Sequence, residues 1–269
     1  MILVEQYQIF DSPSTSHYRY RLAARSRNLR SSLIPFPLPK STGKSGWAHA
    51  FQQGLQAVKK NAPAAFIVQS AIAFLVIAYY GIPLSRPIFE KIKELRQSGG
   101  YPFCFLLMGS AVAFLVESLQ IITRQKGRFQ KENRSNFIFT FLIYGTWGIF
   151  TQQFFNFQSH LFEQSTGFTA VLQKTSIDRL IWGPFFAIPY QIILNTWRAE
   201  NYSFQKTFHN LKNWKPIAEK VYFPLLITNE GFWIPMNLLL YCFPLSLQFP
   251  VAVLALSLWV LLLNTVIKR

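Results

Sequence analysis

Between Tyr101 and Thr123 only Glu117 carries a charge, in a run that is otherwise apolar and small. An acidic side chain at the centre of a membrane helix costs about 2.5–3.5 kcal/mol on insertion scales, so an intramembrane carboxylate is a functional candidate by default. It can line an aqueous path or sense a proton. Glu117 stands six residues from the end of its run, roughly 9 Å at 1.5 Å per residue. It can therefore also anchor at the interface or bond to a neighbouring helix. Amides come next. Gln152 and Asn156 are i, i+4 and share one helix face, and Gln191 and Asn195 repeat the spacing. Amides so placed line a polar path or join helices, and joining is the commoner use. Lys174 and Asp178 are again i, i+4, with Asp178 near the start of a helix, where the dipole favours negative charge. Asn229 and Glu230 reach membrane depth if the last apolar segment begins at Tyr222. The lining candidates are thus Glu117, Gln152, Asn156, Asp178, Asn229 and Glu230.

Other chemistries lack their residues. Gly43-Lys44-Ser45 has the end of a phosphate loop, but Leu38 stands where the first glycine belongs and no strand precedes it. There is no G-x-S-x-G elbow, no H-E-x-x-H and no paired-cysteine motif. The histidines His17, His49, His160 and His209 have no metal-ligand spacing, and five residues after them stand Leu22, Gly54, Ser165 and Trp214 rather than an acid. No enzyme, cofactor or metal site is expected. Cys104 and Cys242 both fall inside apolar runs, where a structural disulfide is not expected.

The elements that must hold these residues are membrane helices. From Gly231 to Ile267 no side chain is charged, and the stretch is bounded by Glu230 and by Lys268-Arg269. About 20 residues of helix cross a hydrocarbon core, so this stretch is long enough for a hairpin of two. Pro244 and Pro250 mark its expected turn. Further apolar runs cover Pro63–Leu84, Tyr101–Thr123, Asn136–Phe157 and Leu180–Trp197. Charged residues make up 14% of the chain, against about 25% in ordinary soluble proteins, while 51% is hydrophobic. The expected fold is all-α, a multi-pass bundle of four to six transmembrane helices.

Residues 203–220 differ from these runs. Phe204, Phe208 and Leu211 fall at i, i+4, i+7, Trp214 follows, and Lys206, Lys212, Lys215 and Lys220 are interspersed. This pattern predicts an interfacial amphipathic helix ended by Pro216. Residues 1–62 form a basic, largely non-membrane segment, either a tail at the membrane surface or a cleaved leader, and the membrane domain is expected over 63–269.

The net charge is +16, from 27 basic and 11 acidic residues. Its placement between apolar runs points to topology and anionic lipid rather than nucleic acid. The basic residues concentrate in the N-terminal segment, the 123–136 loop, the 198–220 helix and the tail. With six spans, the positive-inside rule places both termini on the cytoplasmic or matrix-like side.

The C-terminal half, residues 145–269, resembles the family of the mitochondrial inner-membrane protein Mpv-seventeen and the twenty-two-kilodalton peroxisomal membrane protein. Lys174, Asp178 and Pro184 stand at the spacing of that family's K-x-x-x-D-Q…P element. The likeness continues through Leu226-Ile227-Thr228-Asn229, Trp233-Ile234-Pro235 looks like the family's W-x-P block, and Pro244 precedes Trp259 as its closing proline and tryptophan do. Tyr144-Gly145 and Gly148 match its glycine-rich stretch. Arg179 replaces a Gln, Ile149 a Pro, Gln152 a His, Phe154-Phe155 a Trp-Tyr pair and Gln248 an Arg, the pattern of a remote, bacterial branch. The resemblance implies a weakly selective membrane channel for small solutes. A non-conducting scaffold holding anionic lipid or a protein partner on its basic loops is the alternative. Homo-oligomerisation stays open. A bacterial plasma membrane is favoured over a mitochondrial or peroxisomal one.

Overall fold

Glycine and proline, more than charge, decide where the helices break. The computed structural model describes residues 46–162, 165–200, 202–212 and 214–266. All the regular structure among them is helical, with no strand. Helix α1 is Trp47–Gly81, and a short 3-10 turn, Pro83–Ser85, leads into α2, Arg86–Arg124. Then come α3 (Lys131–Leu161) and α4 (Phe168–Ile177), which continues through a π-helical stretch, Asp178–Ala187, into α5 (Ile188–Ala199). Helices α6 (Phe204–Lys212) and α7 (Trp214–Ile217) precede a second π-helical stretch, Ala218–Tyr222. The chain closes with α8 (Phe223–Leu240) and α9 (Leu245–Val266).

The contacts divide these elements into two compact units. In its described residues the first comprises 46–60 and 182–230, and the second 61–181 and 231–266.

In the second unit α2 packs along α3, and α9 lies against both. Small residues set the α2–α3 spacing. A Cβ on Gly109 would stand 2.7 Å from the Phe141 carbonyl oxygen, and one on Gly148 would stand 2.6 Å from that of Cys104. Glycine at these points lets the two backbones approach more closely than any side chain would allow. Trp259 of α9 stacks on Phe232 of α8 with ring centroids 4.1 Å apart. Helix α2 itself is two rods. Gly100 has φ +53° and ψ −140°, a non-helical conformation that glycine tolerates, and Pro102 follows it.

In the first unit Gly54 lies directly under Ile227, where a Cβ would come within 2.6 Å, and Trp47 meets Phe223 edge-on at 4.7 Å. In a π register the Pro184 carbonyl would pair with residue 189, but Pro189 has no N–H. The Tyr222 hydroxyl donates to that carbonyl at 3.0 Å instead.

Several expectations need revision. The 85–100 segment, between the apolar runs Pro63–Leu84 and Tyr101–Thr123, is helical from Arg86 up to the Gly100 break. Its charged residues support the helix through i, i+3 pairs, Lys91–Glu94 at 3.2 Å and Lys93–Glu90 at 2.8 Å. The boundary at residue 62 falls inside α1, which starts at Trp47 and runs through Pro63. The rest of the N-terminal segment, residues 1–45, and the tail Lys268-Arg269 lie outside the described residues. Pro216 does not end the amphipathic segment, because α7 continues past it into the π turn. The hairpin turn falls at 241–244, ahead of α9, so Pro244 marks it while Pro250 sits within α9.

Two helical stretches are long and apolar enough to cross a membrane, Trp47–Gly81 and Pro83–Ile122. The other runs fall short for identifiable reasons. Gln152, Gln153 and Asn156 dilute α3, and the fourth run is split between a π stretch and a short α-helix. Leu245–Leu261 of α9 is a further apolar helical stretch.

Candidate functional site

Polar side chains in the second unit gather at three places, all involving α2 or α3. The first lies beside the Gly100 break. Gln152, fully buried, accepts from Arg96 Nε at 2.9 Å and faces the Cys104 thiol at 3.8 Å. Its Nε2 donates to Asn156 Oδ1 at 2.7 Å, and Asn156 Nδ2 donates to the Tyr101 hydroxyl oxygen at 3.2 Å. Arg96 precedes the break and Tyr101 follows it, so one turn of α3 holds both halves of α2. The i, i+4 spacing read from the sequence does place Gln152 and Asn156 together. Their partners Arg96 and Tyr101 had no signal, being distant in sequence, one in the charged 85–100 segment and one at the start of an apolar run.

The second place joins the far end of α2 to the start of α3. Glu117 is buried at 5% exposure and accepts from Asn133 Nδ2 at 2.8 Å. Asn133 Oδ1 in turn accepts from the Gln130 backbone N–H at 2.7 Å, which caps α3. A backbone N–H can only donate, so this cap fixes the Asn133 amide with its NH2 toward Glu117. The structure thus gives Glu117 an interhelical bond, one of the roles weighed for it above.

The third place is the start of the π stretch. Asp178 is 3% exposed, pairs with the neighbouring Arg179 through Oδ1, and accepts from the Tyr241 hydroxyl at Oδ2. The Phe155 ring of α3 meets Tyr241 edge-on at 5.9 Å. One turn before Asp178, Lys174 is 1% exposed and donates from Nζ to the Ser165 carbonyl at 2.6 Å. Burial pushes the Lys174 ammonium below its ordinary range. Lys174 and Asp178 share a helix face without pairing directly; each is held by a different part of the unit. Gln158 Nε2 of α3 donates to the Lys174 carbonyl at 2.8 Å.

No family model, curated protein or solved structure matches the chain.

The positions that carry the resemblance sit as follows. Lys174, Asp178 and Trp259 are buried, and Gln248, where the family has Arg, donates from Nε2 to the Phe243 carbonyl at 2.9 Å. Pro184 receives the Tyr222 bond. Trp233 packs edge-on against Phe232, Pro235 is exposed, and Pro244 is the last residue before α9. Asn229 is buried and Glu230 half-buried on α8, both in the first unit.

Proposed function

We propose that this chain is a membrane-embedded helical protein that forms a weakly selective pore for small solutes. The observation that carries the membrane part is an inverted surface. Large apolar side chains face outward along α1 and α2, Phe66 being 71% and Phe114 63% exposed, while amides and charges such as Gln152, Lys174 and Asp178 are buried. The apolar windows of these two helices are only 28% and 39% buried. A core helix of a soluble protein hides such a window; a helix that faces lipid does not. The pore part rests on the resemblance and on the polar relay that leads from buried Gln152 through half-buried Asn156 to exposed Tyr101. The multi-pass topology of four to six spans, both termini on the cytoplasmic or matrix-like side, and a bacterial plasma membrane belong to the same reading. No catalysis is assigned.

The test is release of ions and small neutral solutes from liposomes holding the purified protein. The wild type is expected to conduct, and Asn156→Leu to reduce flux. Unchanged flux in Glu117→Ala or Glu230→Gln removes those residues from the lining. No flux from well-folded protein overturns the pore.

One observation favours the scaffold alternative. Glu117 and Asp178 each hold a bond to another helix or its flanking turn, and the α2–α3 connection presents exposed Lys126, Arg128, Lys131 and Arg134. On that reading anionic lipid or a partner is held at this loop. Reversing those four charges then abolishes binding to anionic vesicles, and no flux is seen in any variant.

A further inference from the structure

The direction of the Gln152–Asn156 relay is dictated by a group that can only donate. A guanidinium has N–H groups and no acceptor, so Gln152 must turn Oε1 toward Arg96 Nε. The Gln152 amide nitrogen is then the donor to Asn156 Oδ1, and Asn156 has only Nδ2 left for the Tyr101 hydroxyl oxygen. Tyr101 accepts, and its own O–H points elsewhere. At the other end Arg96 uses Nε alone. Among the described residues neither the Arg96 Nη groups nor the Tyr101 O–H has an acceptor.

The neighbouring cations behave differently. Lys91 and Lys93, on the same rod of α2, are held by Glu94 and Glu90, whereas Arg96 is bonded to an uncharged amide and keeps its full charge. The break at Gly100 brings Arg96 and Tyr101 over a single turn of α3.

We propose that the open Nη fork of Arg96, whose Nε is pinned by buried Gln152, forms a binding site for a small oxyanion, the carboxylate or phosphate group of a solute or lipid headgroup. The planar fork suits two parallel bonds to such a group. The chain's net charge of +16 raises the local concentration of anions. For transport this names the solute class of the pore proposed above and rests on that reading; for binding it stands without it.

The experiment is calorimetric titration of the purified full chain, in neutral maltoside micelles at fixed ionic strength, with inorganic phosphate and with acetate. Chloride serves as the control. Saturable phosphate or acetate binding is expected, weakened at least tenfold in Arg96→Gln and several-fold in Arg96→Lys. Lys91→Gln is expected to bind as wild type does. Gln152→Glu keeps Arg96 in place and hands it a carboxylate, so this variant is expected to lose anion binding without a lower melting temperature. Displacement of phosphate by added phosphatidylglycerol identifies a headgroup as the ligand, and its absence identifies a soluble anion; both support the site. No saturable binding by the wild type, or undiminished binding by a folded Arg96→Gln variant, overturns it. Anion binding without liposome flux sinks the pore and leaves the site. Flux that is indifferent to Arg96→Gln, with no phosphate or acetate bound, sinks the site and leaves the pore.

Discussion

The Tyr241 hydroxyl donates to Asp178 Oδ2 at 2.5 Å, joining the turn after α8 to the start of the π stretch. With Arg179 on Oδ1, both carboxylate oxygens are occupied. Tyr241→Phe removes one bond to a charged acceptor and is expected to cost about 1.5–3 kcal/mol. Asp178→Asn keeps the shape but removes the charge beside buried Arg179, and about 3–5 kcal/mol is expected. Reversible denaturation of both variants in micelles checks the order. Equal losses would show that the charge contributes nothing beyond the hydroxyl bond.

The α2–α3 crossing makes a steric prediction. A Cβ on Gly148 meets a backbone oxygen at 2.6 Å, which cannot move without shifting the helix. Gly148→Ala is expected to destabilise by about 1–3 kcal/mol. Gly81→Ala, where nothing lies within 4 Å, is expected to stay within about 0.5 kcal/mol of wild type. Melting temperatures of the pair decide whether the crossing is as tight as described.

Glu117 and Asn133 should behave as a coupled pair. A double-mutant cycle with Glu117→Ala and Asn133→Ala is expected to give an interaction energy between about 0.5 and 3 kcal/mol. Asn133→Ala also loses the α3 cap, a further ~1 kcal/mol. Strict additivity of the two single losses would mean that the bond contributes nothing to stability.

Lys174 gives a pH signature. Its folded pKa lies below the ordinary 10.5, so the fold disfavours the protonated form. That penalty is fully present below the folded pKa and is relieved as pH rises from there toward 10.5. Stability of the wild type relative to Lys174→Met should therefore increase through this alkaline window. A difference that stays flat with pH would remove the penalty from the account.

Much of the helical fold was legible in the charge-free runs, which have the length and continuous apolarity of membrane-type helices rather than the alternation of strands. The hairpin turn was legible at Pro244 for a similarly local reason. Other prolines misled, since Pro216 and Pro250 are accommodated within or between helical turns. The helix over residues 86–99 was not legible from the apolar runs that flank it; there Glu90, Lys91, Lys93 and Glu94 support helix by pairing along it. In the candidate site, Gln152–Asn156 could be read from spacing alone. Arg96, Tyr101, Asn133 and Tyr241 could not, because each meets its partner from another helix or a turn, and no periodicity connects positions that far apart.

A straight α2 would be about 58 Å long for its 39 residues, nearly twice the ~30 Å of a hydrocarbon core. The break at Gly100 leaves Tyr101–Arg124 as a rod of about 36 Å, close to bilayer thickness with modest tilt. On the membrane reading proposed above, the charged rod before it is released from the tilt that bilayer thickness imposes, and thinner or thicker bilayers are matched by the angle at one glycine.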